Sequence, residues 1–159
     1  MKYRKLKSYK FGVVEDYHLH LKRFSFLSMQ PLRTSIKHPF FELHSNAADG
    51  SNSSELIIKK GYAWDGSSIP YNWLLGIFYD VDKYCKVPSM VHDMAYQAGW
   101  LGLLPLEHRD YFDRLYRDMM IARGMSKSQA NRRYWAVSNY SEKYFVPKKD
   151  ERDIVYEVE

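Results

Sequence analysis

Apolar and polar residues alternate through the first sixty positions and recur at helical spacing from Pro88 onward, which predicts strands first and helices after them. Tyr17-His-Leu-His-Leu-Lys22 alternates cleanly, and Phe24-Ser-Phe-Leu-Ser continues the aromatic pattern, so both read as half-buried strands. Pro39-Phe-Phe-Glu-Leu-His44 is a further short strand. Between Ser45 and Ser54, Asn-Ala-Ala-Asp-Gly-Ser-Asn-Ser predicts an exposed turn. Glu55-Leu-Ile-Ile-Lys-Lys-Gly-Tyr62 then reads as a strand that delivers the chain into Gly61-Tyr-Ala-Trp-Asp-Gly-Ser-Ser-Ile-Pro70. That stretch is dense in turn formers and suits a fixed loop.

Tyr71-Asn-Trp-Leu-Leu-Gly-Ile-Phe-Tyr79 is strongly apolar without a clean period, as expected of a buried short helix or an aromatic lid. Ser89 is placed to cap a helix running to about Ala98, with Gly99 as its left-handed stop. Pro105 suits the first turn of a longer helix that ends before Gly124, on which Arg109, Asp113, Tyr116 and Met120 form one stripe. Ser126-Lys-Ser-Gln129 is a capping box that opens a third helix to about Phe145, with Ala130, Tyr134, Val137 and Tyr144 facing inward and Pro147 ending it. The expected fold is α+β: N-terminal antiparallel strands followed by three helices packed around a central polar site. Residues 1–147 form a single domain in this reading. Residues 148–159 form a charged tail in which Asp153-Ile-Val-Tyr-Glu-Val alternates well enough to add an edge strand or dock on a partner.

Composition narrows the picture. A chain of 159 residues can bury a core without covalent staples, and Cys85, its single cysteine, permits no intrachain disulfide. That usage fits a reducing compartment. The N-terminus is basic but lacks the apolar run of a signal peptide, and no window reaches the roughly 18 apolar residues of a membrane span, so a soluble protein is expected. The net charge of +5 is uneven, since the tail is net acidic and five bases fall in the first ten residues. This balance favours an anionic partner, nucleic acid or an anionic lipid surface, or else is a solvated basic face. Fourteen tyrosines suggest rings placed at an interface as well as in the core.

The candidate chemistry lies in the loop and the helix after it. His92 and Tyr96 share a helix face at i and i+4, and Asp93 stands beside them. His92 can act as a base near neutrality if a carboxylate fixes its tautomer. Asp113, an acid on an inward stripe, needs a partner, and His92 or Arg109 can supply it. The catalytic candidates are therefore His92, Asp113 and Tyr96. Asp65, Gly66, Ser68 and Pro70 form the structural loop of the site. Asp65 and Asp93, with backbone carbonyls, are the metal candidates, and all-oxygen ligation suits calcium or magnesium. The competing reading is a buried hydrogen-bond network of His92, Asp113, Asp65, Ser68 and Tyr96 that pins the loop to the helices. His18 and His20 also point to one strand face, but no third ligand follows at a suitable spacing, so they read as solvent-facing. There is no G-x-S-x-G elbow and no phosphate-binding loop. A His-Asp metal phosphohydrolase would need more histidines than the single downstream His108.

Gly61-Tyr-x-x-Asp65-Gly-x-Ser68-x-Pro70, His92-Asp93-x-x-Tyr96 and Arg109-x-x-x-Asp113-x-x-Tyr116-x-x-x-Met120-x-x-x-Gly124 together resemble a family of small uncharacterised proteins encoded mainly by bacteriophages and prophages. The resemblance covers roughly residues 55–140 and implies a phage origin and an α+β fold. Usual members keep a smaller residue where Trp64 stands. A weaker resemblance links His-Asp-x-x-Tyr and a later helical Asp to calcium-dependent phospholipases that cleave the sn-2 ester. It implies His92 as the activator of water, Asp93 as a calcium ligand and Asp113 as the residue orienting His92. The glycine-rich calcium loop of those enzymes is not visible here, with only Asp65-Gly66 in its place, and the disulfides of the secretory forms are absent.

Three functions follow as expectations. The first is a phage accessory or virion-associated protein, of tail or capsid, acting by binding and assembly in the host cytoplasm or the virion, with other phage structural proteins as partners. The second is a hydrolase of ester or cell-envelope substrates built on the His/Asp site. The third is an inhibitor that binds a host protein.

Overall fold

A computed structural model describes residues 3–4, 11–21, 32, 34–45, 54–66 and 81–147. Among them are seven strands: β1 (Tyr3–Arg4), β2 (Phe11–Val13), β3 (Tyr17–His20), β4 (Ile36–His38), β5 (Phe41–Ser45), β6 (Ser54–Ile58) and β7 (Ala63–Trp64). Three α-helices follow: α1 (Val81–Trp100), α2 (Arg109–Ala122) and α3 (Lys127–Tyr140). Antiparallel strands precede three helices, so the fold is α+β, as the pattern of the sequence predicts.

The strands form two antiparallel sheets. One has the order β1-β2-β7, the other β3-β6-β5-β4. In the larger sheet the period of two sorts the faces. Leu19, Leu56 and Leu43 share a row and are all buried, while the next row, His20, Glu55 and His44, faces outward. Pro39 and Phe40 make the tight turn between β4 and β5. The Ser45–Ser54 turn, for residues 46–53, and the Phe24 strand lie outside the described residues, as do the apolar segment Tyr71–Tyr79 and the tail strand at Asp153.

β2 and β7 lead to the loop. Gly61 turns with φ +96°, and Gly66 takes φ +78° with the Phe11 ring so close that a Cβ would stand 3.0 Å from it. Only glycine suits both demands at Gly66. Trp64 is buried against Phe11, their ring centroids 5.3 Å apart, and Lys86 of α1 lies over the same Phe11 ring at 4.8 Å. These contacts bring the Asp65-Gly66 end of the loop to α1.

α1 is the central helix. From Val87 to His92 every residue is buried, as expected of a helix enclosed on all sides. It starts earlier than the Ser89 cap predicts and runs through Pro88, whose missing N–H normally breaks a helix. Burial of Cys85, Val87, Met90 and Val91 on both sides of the proline holds the helix continuous. Ser89 bonds back to the Lys86 carbonyl, a helix-interior contact. The stop is also displaced. Gly99 remains helical, and its Cβ position falls 2.5 Å from the Phe145 ring and 2.7 Å from the Phe145 carbonyl. Gly102, with φ +72°, ends the helix, while Leu103 N–H reaches the Ala98 carbonyl and Gly102 N–H that of Gly99.

α2 follows a 3₁₀ turn, Leu106–His108, for which Pro105 is the N-cap. It buries Phe112, Asp113, Leu115, Tyr116, Met119 and Met120, and it ends at Gly124, φ +98°, in the same backbone pattern as α1. α3 opens at Ser126, whose Oγ accepts from Gln129 N–H at 3.3 Å. It is shorter than expected. A 3₁₀ turn, Glu142–Tyr144, replaces its last turn, so Tyr144 leaves the helical register and is exposed while Phe145 is buried. The inward residues of α3 are Ala130, Arg133 and Ala136. Tyr134 and Val137 are only half-buried.

Candidate functional site

Three helices meet at one carboxylate. Asp113 of α2 has no exposed side-chain surface, and His92 Nε2–H donates to its Oδ1 at 2.9 Å. The Tyr96 hydroxyl donates to the same oxygen, also at 2.9 Å, and shares a 2.6 Å hydrogen bond with Ser141 Oγ. Oδ2 receives Ser138 Oγ–H at 3.4 Å and lies 3.6 Å from Arg109 Nη1. Arg109 also donates to the Ser138 carbonyl at 3.1 Å and pairs with Glu142 at 3.5 Å. Each partner is where helical geometry puts it: His92 and Tyr96 one turn apart on α1, Arg109 and Asp113 one turn apart on α2.

The rings above the carboxylate form a stack. His92 and Tyr96 lie with centroids 4.2 Å apart at 27°, Tyr116 sits 5.0 Å from His92, and Phe145 meets Tyr96 edge-on at 5.1 Å. This apolar housing removes His92 and Tyr96 from water. Burial alone would lower the His92 pKa, but the hydrogen bond with Asp113 and the Asp93 carboxylate outweigh it, and the net shift is upward. Burial, and then the Asp113 charge, push the Tyr96 hydroxyl far up, so it is a donor at every ordinary pH.

The other imidazole nitrogen, Nδ1, is turned toward Asp93. His92 Nδ1 stands 3.9 Å from Asp93 Oδ1, too long for a direct hydrogen bond but close enough for the two charges to interact. Asp93 keeps 39% of its side-chain surface, yet crowding pushes its carboxyl up, His92 opposes the shift and the charge of Asp65 adds to it. Asp65 is therefore within electrostatic reach of Asp93. Two carboxylates of this kind have the oxygen chemistry of a hard divalent cation. Among the described residues no group of three or more His, Cys, Asp or Glu converges on one point, so further ligands would be backbone carbonyls or water.

The expected catalytic candidates His92, Tyr96 and Asp113 are thus in mutual contact, while Asp65 reaches Asp93 through its charge alone. Ser68 and Pro70 lie outside the described residues. Both partners foreseen for Asp113 are present, His92 by hydrogen bond and Arg109 by ion pair. The network joins three helices, through two residues that sequence reasoning missed. Ser138 and Ser141 face it three positions apart at the end of α3, and no signal distinguishes them from other polar residues there.

Residues 41–137, more than half of the chain, match the family described as "Protein of unknown function (DUF1353)". The chain belongs to this family. The DUF1353 match runs from β5 through most of α3, so it takes in Asp65, His92, Asp93, Tyr96, Arg109 and Asp113. β1 to β4 and Ser138 and Ser141 fall outside it. No curated protein and no solved structure matches the chain. Among the described residues no helix is long and apolar enough to cross a membrane.

Proposed function

We propose that this DUF1353 protein is a hydrolase of ester or cell-envelope substrates with His92 as general base. The observation that carries the reading is the two-sided setting of the ring: Nε2–H held by the buried Asp113 at 2.9 Å, and Nδ1 turned toward the partly exposed Asp93. An ionised carboxylate only accepts hydrogen bonds, so Asp113 fixes the tautomer in which Nδ1 carries the lone pair.

In this reading Nδ1 takes a proton from a water as that water attacks the ester carbonyl. Asp113 and Asp93 stabilise the imidazolium that forms. The same proton passes from Nδ1 to the departing alkoxide, leaving a carboxylic acid and an alcohol. Tyr96 holds Asp113 in place and excludes water beneath the ring. Asp65 and Asp93 would hold a calcium ion, which would supply positive charge for the developing oxyanion.

The test is hydrolysis of mixed phospholipid vesicles and soluble esters, with calcium or with chelator, by the full chain and by His92→Gln. Release of acid that depends on calcium and falls by about 100-fold or more in the variant supports the reading. No release above the variant's background overturns it.

A second reading is favoured by a separate surface. Trp135 and Tyr140 are 51% and 58% exposed and meet edge-on with centroids 5.6 Å apart, beside an open depression lined by Ser128, Asn131, Arg132 and Trp135. Aromatics beside a basic side chain suit a phage-encoded accessory protein that works by binding neighbouring virion proteins. Copurification with phage structural proteins, lost in Trp135→Ala, would support it.

A further inference from the structure

The outer face of the larger sheet carries a cluster that the hydrolytic site does not use. His18 and His20 of β3 point the same way, with Cα atoms about 7 Å apart. The strand register sets Glu55 of β6 directly across from His20 and diagonal to His18. Opposite and diagonal positions place Cβ atoms about 5 Å and 7–8 Å apart, so both imidazoles and the carboxylate can reach one point above the sheet. His18 Nδ1 already stands 3.0 Å from Glu55 Oε1. The hydrogen bond with His18 holds the Glu55 carboxyl below its usual range, partly offset by burial, and the charges of His20, His18 and His44 act in the same direction as that bond.

We propose that His18, His20 and Glu55 bind a divalent transition-metal ion of the zinc type. Two imidazoles from one strand and a carboxylate from its neighbour match the three-ligand sites that keep a fourth position for water or another ligand. Nitrogen donors select zinc, nickel or copper over the calcium and magnesium suited to Asp65 and Asp93. The three donors do not converge as they stand. Convergence needs only side-chain rotation, because His18 keeps 52% and Glu55 33% of its side-chain surface, and their exposed pairing is easily given up. His44 lies across from Glu55 on its other side, engaged with Glu42 at 2.9 Å. It lies two strands, about 10 Å, from β3, and its imidazole is already held by Glu42.

The test is calorimetric titration of the tag-free full chain with zinc at neutral pH, in millimolar calcium to keep zinc from Asp65 and Asp93. We expect one ion per chain at about micromolar dissociation constant or tighter, and perturbed His18 and His20 imidazole resonances. His20→Ala and Glu55→Gln, both on the outer face, should each weaken binding by about tenfold or more, and His44→Ala by no more than about twofold. Absence of saturable binding, an unchanged affinity in His20→Ala, or loss in His44→Ala alone would overturn the site.

Discussion

His92 and Tyr96, one turn apart on α1, stack with ring centroids 4.2 Å apart and donate to the same oxygen of Asp113, each at 2.9 Å. The tyrosine therefore competes with and supports the histidine at once. It shares the acceptor, and it seals the ring from solvent. Tyr96→Phe keeps the stack and removes the donor, which should cost about 2 kcal/mol of stability, the worth of a hydrogen bond to a charged acceptor. With one donor gone, Asp113 interacts more strongly with His92, so the His92 pKa should rise further. Urea unfolding and imidazole NMR on the same variant check the two outcomes.

Asp113→Asn separates charge from shape. Arg109 and His92 lose their anionic partner, and stability should fall by about 2–4 kcal/mol near neutrality. The pH dependence has a definite sign. The His92 pKa is raised in the folded state, so the stabilisation it reports is fully present below the ordinary imidazole pKa of about 6.5 and is lost as pH rises through the folded value. Wild type should therefore lose stability from about pH 6.5 upward, and Asp113→Asn should lose much less across that window. Parallel curves for the two proteins would show that His92 is not coupled to Asp113.

Much of this arrangement is legible in the sequence because local rules and packing agree. Ser126 and Gln129 cap α3, Gly124 ends α2, and the stripe Arg109, Asp113, Tyr116 and Met120 needs only the helical period. Local rules mislead where a distant residue decides. Gly99 has the look of a stop, but the space it leaves is taken by Phe145, and the stop moves to Gly102. Ser89 has the look of a helix cap, yet buried neighbours carry α1 through Pro88 before it. Tyr144 fits the helical stripe of α3 only if that helix continues past Tyr140. Glu55 shows the same limit, since a ligand contributed by strand pairing has no fixed spacing from His18 and His20 along the chain.

Gly99→Ala measures how tightly Phe145 is seated. Alanine normally stabilises a helix interior by about 1 kcal/mol relative to glycine. Here the added Cβ would stand 2.5 Å from the ring and 2.7 Å from a backbone oxygen, so the ring and the 3₁₀ turn before it must shift. The expected result is a net destabilisation of about 1–3 kcal/mol, with a weakened contact between Tyr96 and Phe145. Thermal or urea unfolding checks the sign, which is opposite to that expected of an exposed helical glycine.

A hydrolytic role for His92 is decided by an NMR titration of its imidazole in wild type and Asp113→Asn, with and without calcium. The ring should titrate above the ordinary histidine range in wild type, and its pKa should fall in Asp113→Asn. Calcium near Asp65 and Asp93 should lower its pKa, because a cation beside Asp93 opposes the imidazolium. A ring that stays neutral throughout, unmoved by the substitution or by calcium, would contradict a hydrolytic His92 and leave Asp113 as the anchor of a purely structural network.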